Sequence, residues 1–173
     1  MDLVGLADVP HVPEPEETGE TFQANARLKA LYYSAANPTL MTAADDSGLV
    51  VDALDGEPGV CSARFLRPDA TYPERFAEIY RRLSERPRAA RTARFICALT
   101  VAHGDKVLFE TTGTVEGEIS DQPRGSGGFG YDPIFFYPPY GRTFGEVTEE
   151  QKLAVAHRGH AFCALADWLR KTP

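Results

Sequence analysis

Apolar side chains first recur at helical spacing after Gly19, at Phe22, Ala26, Leu28, Leu31 and Ala35. Asn37-Pro38 stops the run, because a residue before proline is pushed out of the helical region. The preceding stretch, with Pro10, Pro13, Pro15, Glu14, Glu16 and Glu17, reads as an extended lead-in. After the helix, Thr39 to Ala44 reads as a strand, Asp45-Asp46-Ser47-Gly48 as a turn, and Leu49 to Leu54 as a second strand closed by Gly56, Pro58 and Gly59. Pro73 suits the first turn of another helix, and Phe76, Ile79, Tyr80 and Leu83 form its stripe. Ala93, Phe95, Cys97, Leu99 and Val101 alternate as in a long strand, and His103 to Lys106 predicts a hairpin into a second one, Val107 to Ile119. A glycine-rich loop runs from Arg124 to Pro133. Thr148 with Gln151 predicts a capping box, and Phe162, Leu165, Ala166 and Leu169 mark the inner face of a C-terminal helix. The pattern predicts one α/β domain over residues 1–173.

Composition narrows the class. A chain of 173 residues can bury roughly 70% of its unfolded surface, so its fold requires no disulfide or metal. No apolar run approaches the ~20 residues needed to span a bilayer, and no signal peptide opens the chain, which predicts a cytoplasmic protein without membrane attachment. The three cysteines lack CxxC spacing and read as reduced thiols. A net charge of −7 argues against nucleic acid as a partner. Six arginines between Arg81 and Arg94 read as a solvated helix end and loop, or else as a patch facing phosphate.

Three features carry candidate chemistry. Glu17, Asp45 and Asp46 are carboxylates of the kind that hold Mg²⁺, a cation that takes one or two of them together with substrate phosphates. Adjacent strand residues point to opposite sides, so one aspartate can face a metal while the other secures its surroundings. A plain Asx turn is the bland alternative. Phe129-Gly130-Tyr131-Asp132 sits in the glycine-rich loop, where an aromatic ring can stack on a base; an ordinary surface loop would look similar. Lys152 with His157-Arg158 suits phosphate or a base carbonyl, although isolated cations on a helix are more often only solvated.

Read in order, EETGETFQANARLKA, ADDSGLVVDALDGEPGVCSAR, PRGSGGFGYDPIF and K-x4-HRGHA resemble the inosine triphosphate pyrophosphatase family from about Glu16 to the C-terminus. The resemblance implies an α/β fold with a long, mixed sheet flanked by helices in two lobes with a cleft between them, usually a homodimer. It implies hydrolysis of inosine, deoxyinosine and xanthosine triphosphates to the monophosphate and pyrophosphate. By position, Glu17 and Asp46 match Mg²⁺ ligands, and Asp46 also matches the carboxylate that activates water. Asp45 and Lys29 match positions near the phosphates, and Ser47 a substrate contact. Phe129, Gly130, Tyr131 and Asp132 match the base-binding segment, and Lys152, His157 and Arg158 match residues reading the purine. Folding is expected to bring these groups to one pocket.

Departures from the family pattern are also visible. Its usual opening, a strand running into a Ser/Thr-x-Asn-x-x-Lys loop, has no counterpart between Met1 and Glu17. That implies weak or absent turnover by the 173-residue chain, with a non-catalytic nucleotide-binding homologue as the alternative. Ala156 replaces the usual serine before His-Arg, costing a helix cap, and Gln23 stands where glutamate is common.

Overall fold

The computed structural model describes residues 3–9, 11–86 and 90–172. Helix α1 spans Phe22–Ala36 and strand β1 Thr42–Val51; α2 (Tyr72–Ser84), β2 (Thr92–His103) and β3 (Lys106–Ile119) follow. Two short strands, β4 (Phe135–Tyr137) and β5 (Arg142–Thr143), precede α3 (Glu149–Val155) and α4 (His157–Lys171).

The strands form one sheet in the order β1-β2-β3-β4-β5, with every neighbouring pair antiparallel. The α/β class with flanking helices is as expected. The sheet is antiparallel where a mixed one was expected, because each strand pairs with the next in sequence, and antiparallel neighbours need only short returns such as the Gly104 hairpin. β1 lies at the sheet edge, and beyond its ladder with β2 its only other β-bridge among the described residues is the isolated Val50–Pro58 pair.

Asp45-Asp46-Ser47-Gly48 is not a turn between two strands. It lies inside β1, with Asp45, Asp46, Ser47 and Gly48 opposite Leu99, Ala98, Cys97 and Ile96. Gly48 serves close approach rather than chain reversal, since a Cβ there would lie 2.4 Å from Ser62 Oγ and 2.6 Å from the Gly59 carbonyl. Reversal waits until the 3₁₀ turn Asp52–Leu54 and the left-handed pair Asp55-Gly56.

Helices cover both faces of the long strands. α1 packs Phe22 and Ala26 against Ala98. Its buried residues are Phe22, Asn25, Ala26, Ala30 and Ser34, whereas Leu28 and Leu31 are only half-buried and Ala35 is exposed. The stripe read from the larger apolar residues was therefore rotated from the true one, which is small and partly polar because helix and strand lie close together. On the opposite face α4 packs Ala161 against Cys97, Leu99 and Val101, with Trp168 stacked on Phe109 at 5.1 Å. Phe162 is 47% exposed, so the inner face runs through Ala161, Leu165 and Trp168 instead.

The main core gathers Leu49, Phe95, Phe135, Phe144, Tyr131 and the α2 stripe Phe76, Ile79 and Leu83. Rings of Phe95, Phe135 and Phe144 meet at 4.5 to 6.3 Å, joining the sheet to the segment after the glycine-rich loop. α2 opens with the Thr71–Glu74 capping box and α3 with the Thr148–Gln151 box. The arginines of the 81–94 stretch that fall in described residues pair with surface carboxylates: Arg81 and Arg82 with Glu78, Arg86 with Asp55, Arg91 with Asp121, and Arg94 with Asp52 and Glu116. Arg88 lies outside the described residues.

Ala156 is the N-cap of α4, in extended geometry (φ −75°, ψ 154°) and without a side-chain acceptor. Serine there would accept from a first-turn amide, a gain of ~1 kcal/mol. Ala156→Ser is expected to raise the urea midpoint accordingly, with an unchanged denaturant slope.

Candidate functional site

The strand alternation of β1 divides the candidate residues into two groups. On the α1 face, Asp46 is buried and meets Lys29, whose ammonium lies 3.0 Å from Asp46 Oδ1 and 2.8 Å from Glu17 Oε1. Glu17 sits on the segment leading into α1, and Lys29 lies two helical turns in. The other Glu17 oxygen, Oε2, accepts from Arg64 at 3.2 Å. The other Asp46 oxygen, Oδ2, accepts from the Asn25 amide, also at 3.2 Å.

Electrostatics follows from this crowding. Burial pushes the Asp46 carboxyl upward and the charge of Glu17 adds to it, with Lys29 only partly offsetting the two. Burial also works against ionised Glu17, yet the hydrogen bonds from Lys29 and Arg64 outweigh it and hold that carboxyl below its usual range. Lys29 loses hydration but gains two carboxylates, and its pKa is raised. The site thus keeps one firmly ionised carboxylate and one more easily protonated.

On the opposite face of β1, Asp45 Oδ2 accepts from Arg158 Nε at 3.2 Å, with Ser47 Oγ 3.4 Å and Cys97 Sγ 3.6 Å away. Burial, helped by the Asp45 charge, pushes the Cys97 thiol up to about 12, which leaves it unreactive. Phe129 is 61% exposed, with the Lys152 ammonium 4.2 Å and the Arg158 guanidinium 5.5 Å from its ring centre. Asp132, only 2% exposed, accepts from Lys152 and from the Phe129 amide at 2.6 Å, which locks the loop. Positive φ at Gly128 and Gly130 gives that loop its course.

Besides Asp132, two further members of the expected base-binding set face inward. Tyr131 is 4% exposed, set edge-on to Tyr72 at 5.4 Å, and its hydroxyl donates to the Ser62 carbonyl at 2.9 Å. It anchors the loop against Tyr72, Phe76 and the buried Arg75 of α2. His157 is buried and stacked on Phe95 at 4.9 Å, and its Nδ1 has no partner. Burial, reinforced by Arg158 and Lys152, pushes it down to about 3, so it stays neutral.

The candidate residues thus fall into two groups divided by an edge strand: Glu17, Lys29 and Asp46 on the α1 side, Asp45, Phe129, Lys152 and Arg158 on the α4 side. A cavity of about 540 Å³ lined by Thr114, Glu116, Tyr137, Pro138, Val155 and His160 includes none of them. Among the described residues no three His, Cys, Asp or Glu side chains cluster as a metal cage. The Glu17–Asp46 pair nevertheless suits Mg²⁺, which is commonly held by one or two carboxylates plus phosphate oxygens, and its two inward oxygens already converge on one cation, Lys29. Sequence reading missed Asn25 and Arg64. Asn25 carried a signal, since a poor helix former standing between apolar Phe22 and Ala26 is out of place unless its amide is used. Arg64 carried none.

The sequence matches the Ham1 family over residues 1–168. The chain belongs to the Ham1 family. A dITP/XTP pyrophosphatase of Halalkalibacterium halodurans is 44% identical over 98% of this chain and 87% of its own length. One from Geobacter sulfurreducens is 46% identical over 96% of this chain and 83% of its own length. Among solved structures, a HAM1 protein from Coxiella burnetii superposes with a TM-score of 0.88 at 39% identity, covering 93% of this chain and 82% of that one. The Staphylococcus aureus Ham1 protein gives 0.84 at 37% identity, covering 91% and 81%. No helix of the described residues is long and apolar enough to cross a membrane.

Proposed function

We propose that this Ham1 family member hydrolyses non-standard purine nucleoside triphosphates (deoxyinosine, inosine and xanthosine triphosphates) to the monophosphate and pyrophosphate. The observation that carries the proposal is the convergence of Glu17 Oε1 and Asp46 Oδ1 on a single cation, at 2.8 and 3.0 Å. It is supported by relatives named for this activity at 44 to 46% identity.

Glu17 and Asp46 would hold Mg²⁺, which when bound neutralises phosphate charge as it builds. Asp46, more easily protonated than a free carboxylate, is placed to take a proton from the attacking water. Lys29 stabilises charge on the phosphates. Asp45 holds Arg158 in place. Phe129 offers a stacking face, and Lys152 and Arg158 offer donors to a 6-keto purine. Adenine would aim its own amino donor at them, and unpaired buried donors are rejected strongly. We also take the protein to act as a homodimer in the cytoplasm, a location that fits its three free cysteines.

The test is pyrophosphate release from a panel of triphosphates with Mg²⁺. Deoxyinosine and xanthosine triphosphates are expected to exceed ATP in kcat/KM by ~10²-fold or more. Equal turnover of ATP, or release of orthophosphate, would overturn the assignment.

A further inference from the structure

We propose that Asn25 is a positioning residue whose carboxamide sets the spacing and orientation of Glu17 and Asp46, so that the pair is arranged for a divalent cation before nucleotide arrives. The inference rests on the reading of those two carboxylates as cation ligands.

Asn25 is completely buried as the fourth residue of α1, on its inner face, and asparagine is a poor helix former. Both ends of its amide are engaged. Oδ1 accepts from the Gly19 N–H at 2.7 Å, and Nδ2 donates to Asp46 Oδ2 at 3.2 Å. Gly19 lies two residues beyond Glu17 on the segment that delivers it. One planar group, with only two rotatable bonds, therefore ties the segment bearing one carboxylate to the strand bearing the other.

The oxygens divide accordingly. Asp46 gives Oδ2 to Asn25, and Glu17 gives Oε2 to Arg64. That leaves Oδ1 and Oε1, the two that face the same ammonium. Lys29 contacts both carboxylates too, but its long flexible stem follows them rather than fixing them. Gly19 fits the same design, since a Cβ there would lie 2.5 Å from Asn25 Oδ1 and force the segment away from the amide. Gly19→Ala thus disturbs the tether without opening a core cavity. Outer partners that orient metal ligands typically contribute 10- to 100-fold in affinity.

The experiment uses the full chain in five forms: unchanged, Asn25→Ala, Gly19→Ala, Glu17→Gln and Asp46→Asn. Three quantities are measured: Mn²⁺ affinity by electron paramagnetic resonance without nucleotide, the Mg²⁺ concentration for half-maximal pyrophosphate release, and Tm. Asn25→Ala and Gly19→Ala are expected to weaken Mn²⁺ binding ~10- to 100-fold and to raise the Mg²⁺ requirement in parallel. Excess Mg²⁺ should restore their turnover, which it would not do for a residue that merely supports the fold. If Asn25→Ala does not fold, Gly19→Ala decides the matter. Folded variants with unchanged Mn²⁺ affinity and Mg²⁺ requirement would overturn the positioning role. Unchanged Mn²⁺ affinity in Glu17→Gln and Asp46→Asn would instead overturn the cation-ligand reading beneath it.

Discussion

Asp46→Asn is expected to lower kcat for deoxyinosine triphosphate by on the order of 10³-fold or more while leaving the protein folded. The amide keeps the shape of the carboxylate and can still meet Lys29 through its oxygen, so packing against α1 changes little. On the proposed function, what disappears is an anionic oxygen facing the cation position and a buried acid placed to accept a proton from water. Loss of a general base alone is worth ~10² to 10⁴-fold, and loss of a metal ligand adds to it. Because Asp46 Oδ1 and Glu17 Oε1 face the same point, Glu17→Gln should fall in the same direction. The check is pyrophosphate release at saturating nucleotide, read beside far-UV circular dichroism. Asp46→Asn retaining a tenth or more of the turnover would remove it from the chemistry.

The largest expected effect on stability lies on the other face of β1. Lys152 is the charged partner of Asp132, a carboxylate only 2% exposed. Lys152→Met preserves much of the apolar stem but leaves that carboxylate buried beside a single backbone donor, Phe129 N–H. Stranding one member of a buried pair costs ~3 to 5 kcal/mol. The sign with pH follows from the direction of the shift. Burial already raises the Asp132 pKa in the intact protein, with Lys152 pulling it back down; without Lys152 it rises further. A carboxyl whose folded pKa lies above its unfolded value is penalised when ionised, and the penalty is relieved as pH falls through the folded pKa. Urea denaturation should therefore show the widest gap between the two proteins at pH 7 to 8 and a narrower one toward pH 5. A gap independent of pH would mean that lost packing, not a stranded charge, sets the cost.

How much of this was legible in the chain depended on whether local pattern and tertiary role agreed. In β2, β3 and α2 they do: alternation in Ala93 to Val101 and the stripe Phe76, Ile79 and Leu83 describe the elements found. They disagree at Asp45 to Gly48, where four turn-forming residues occupy a strand because β2 supplies the ladder. They disagree again in α1, whose inner face beyond Phe22 is built from small or polar residues, and in α4, where Ala161, Leu165 and Trp168 face the sheet and Phe162 does not. The short strands between Phe135 and Thr143 left no periodic trace. At the site, Glu17, Lys29 and Asp46 were readable as a motif and do meet. The inward turn of Tyr131 and His157, and the parts played by Asn25 and Arg64, are set by partners distant in sequence and so left no mark in local spacing.

One ten-residue strand thus acts as a partition. Asp46 looks toward α1 and Lys29, the phosphate side of the proposed function, and Asp45 toward α4 and Arg158, its base side. Sliding β1 by a single residue against β2 would exchange the two carboxylates and spoil both tasks at once, since strand side chains repeat every second position. No ion pair among the described residues joins the two groups. Taste for a different base can therefore change without rebuilding the hydrolytic side, provided that no residue is inserted or lost between Thr42 and Val51.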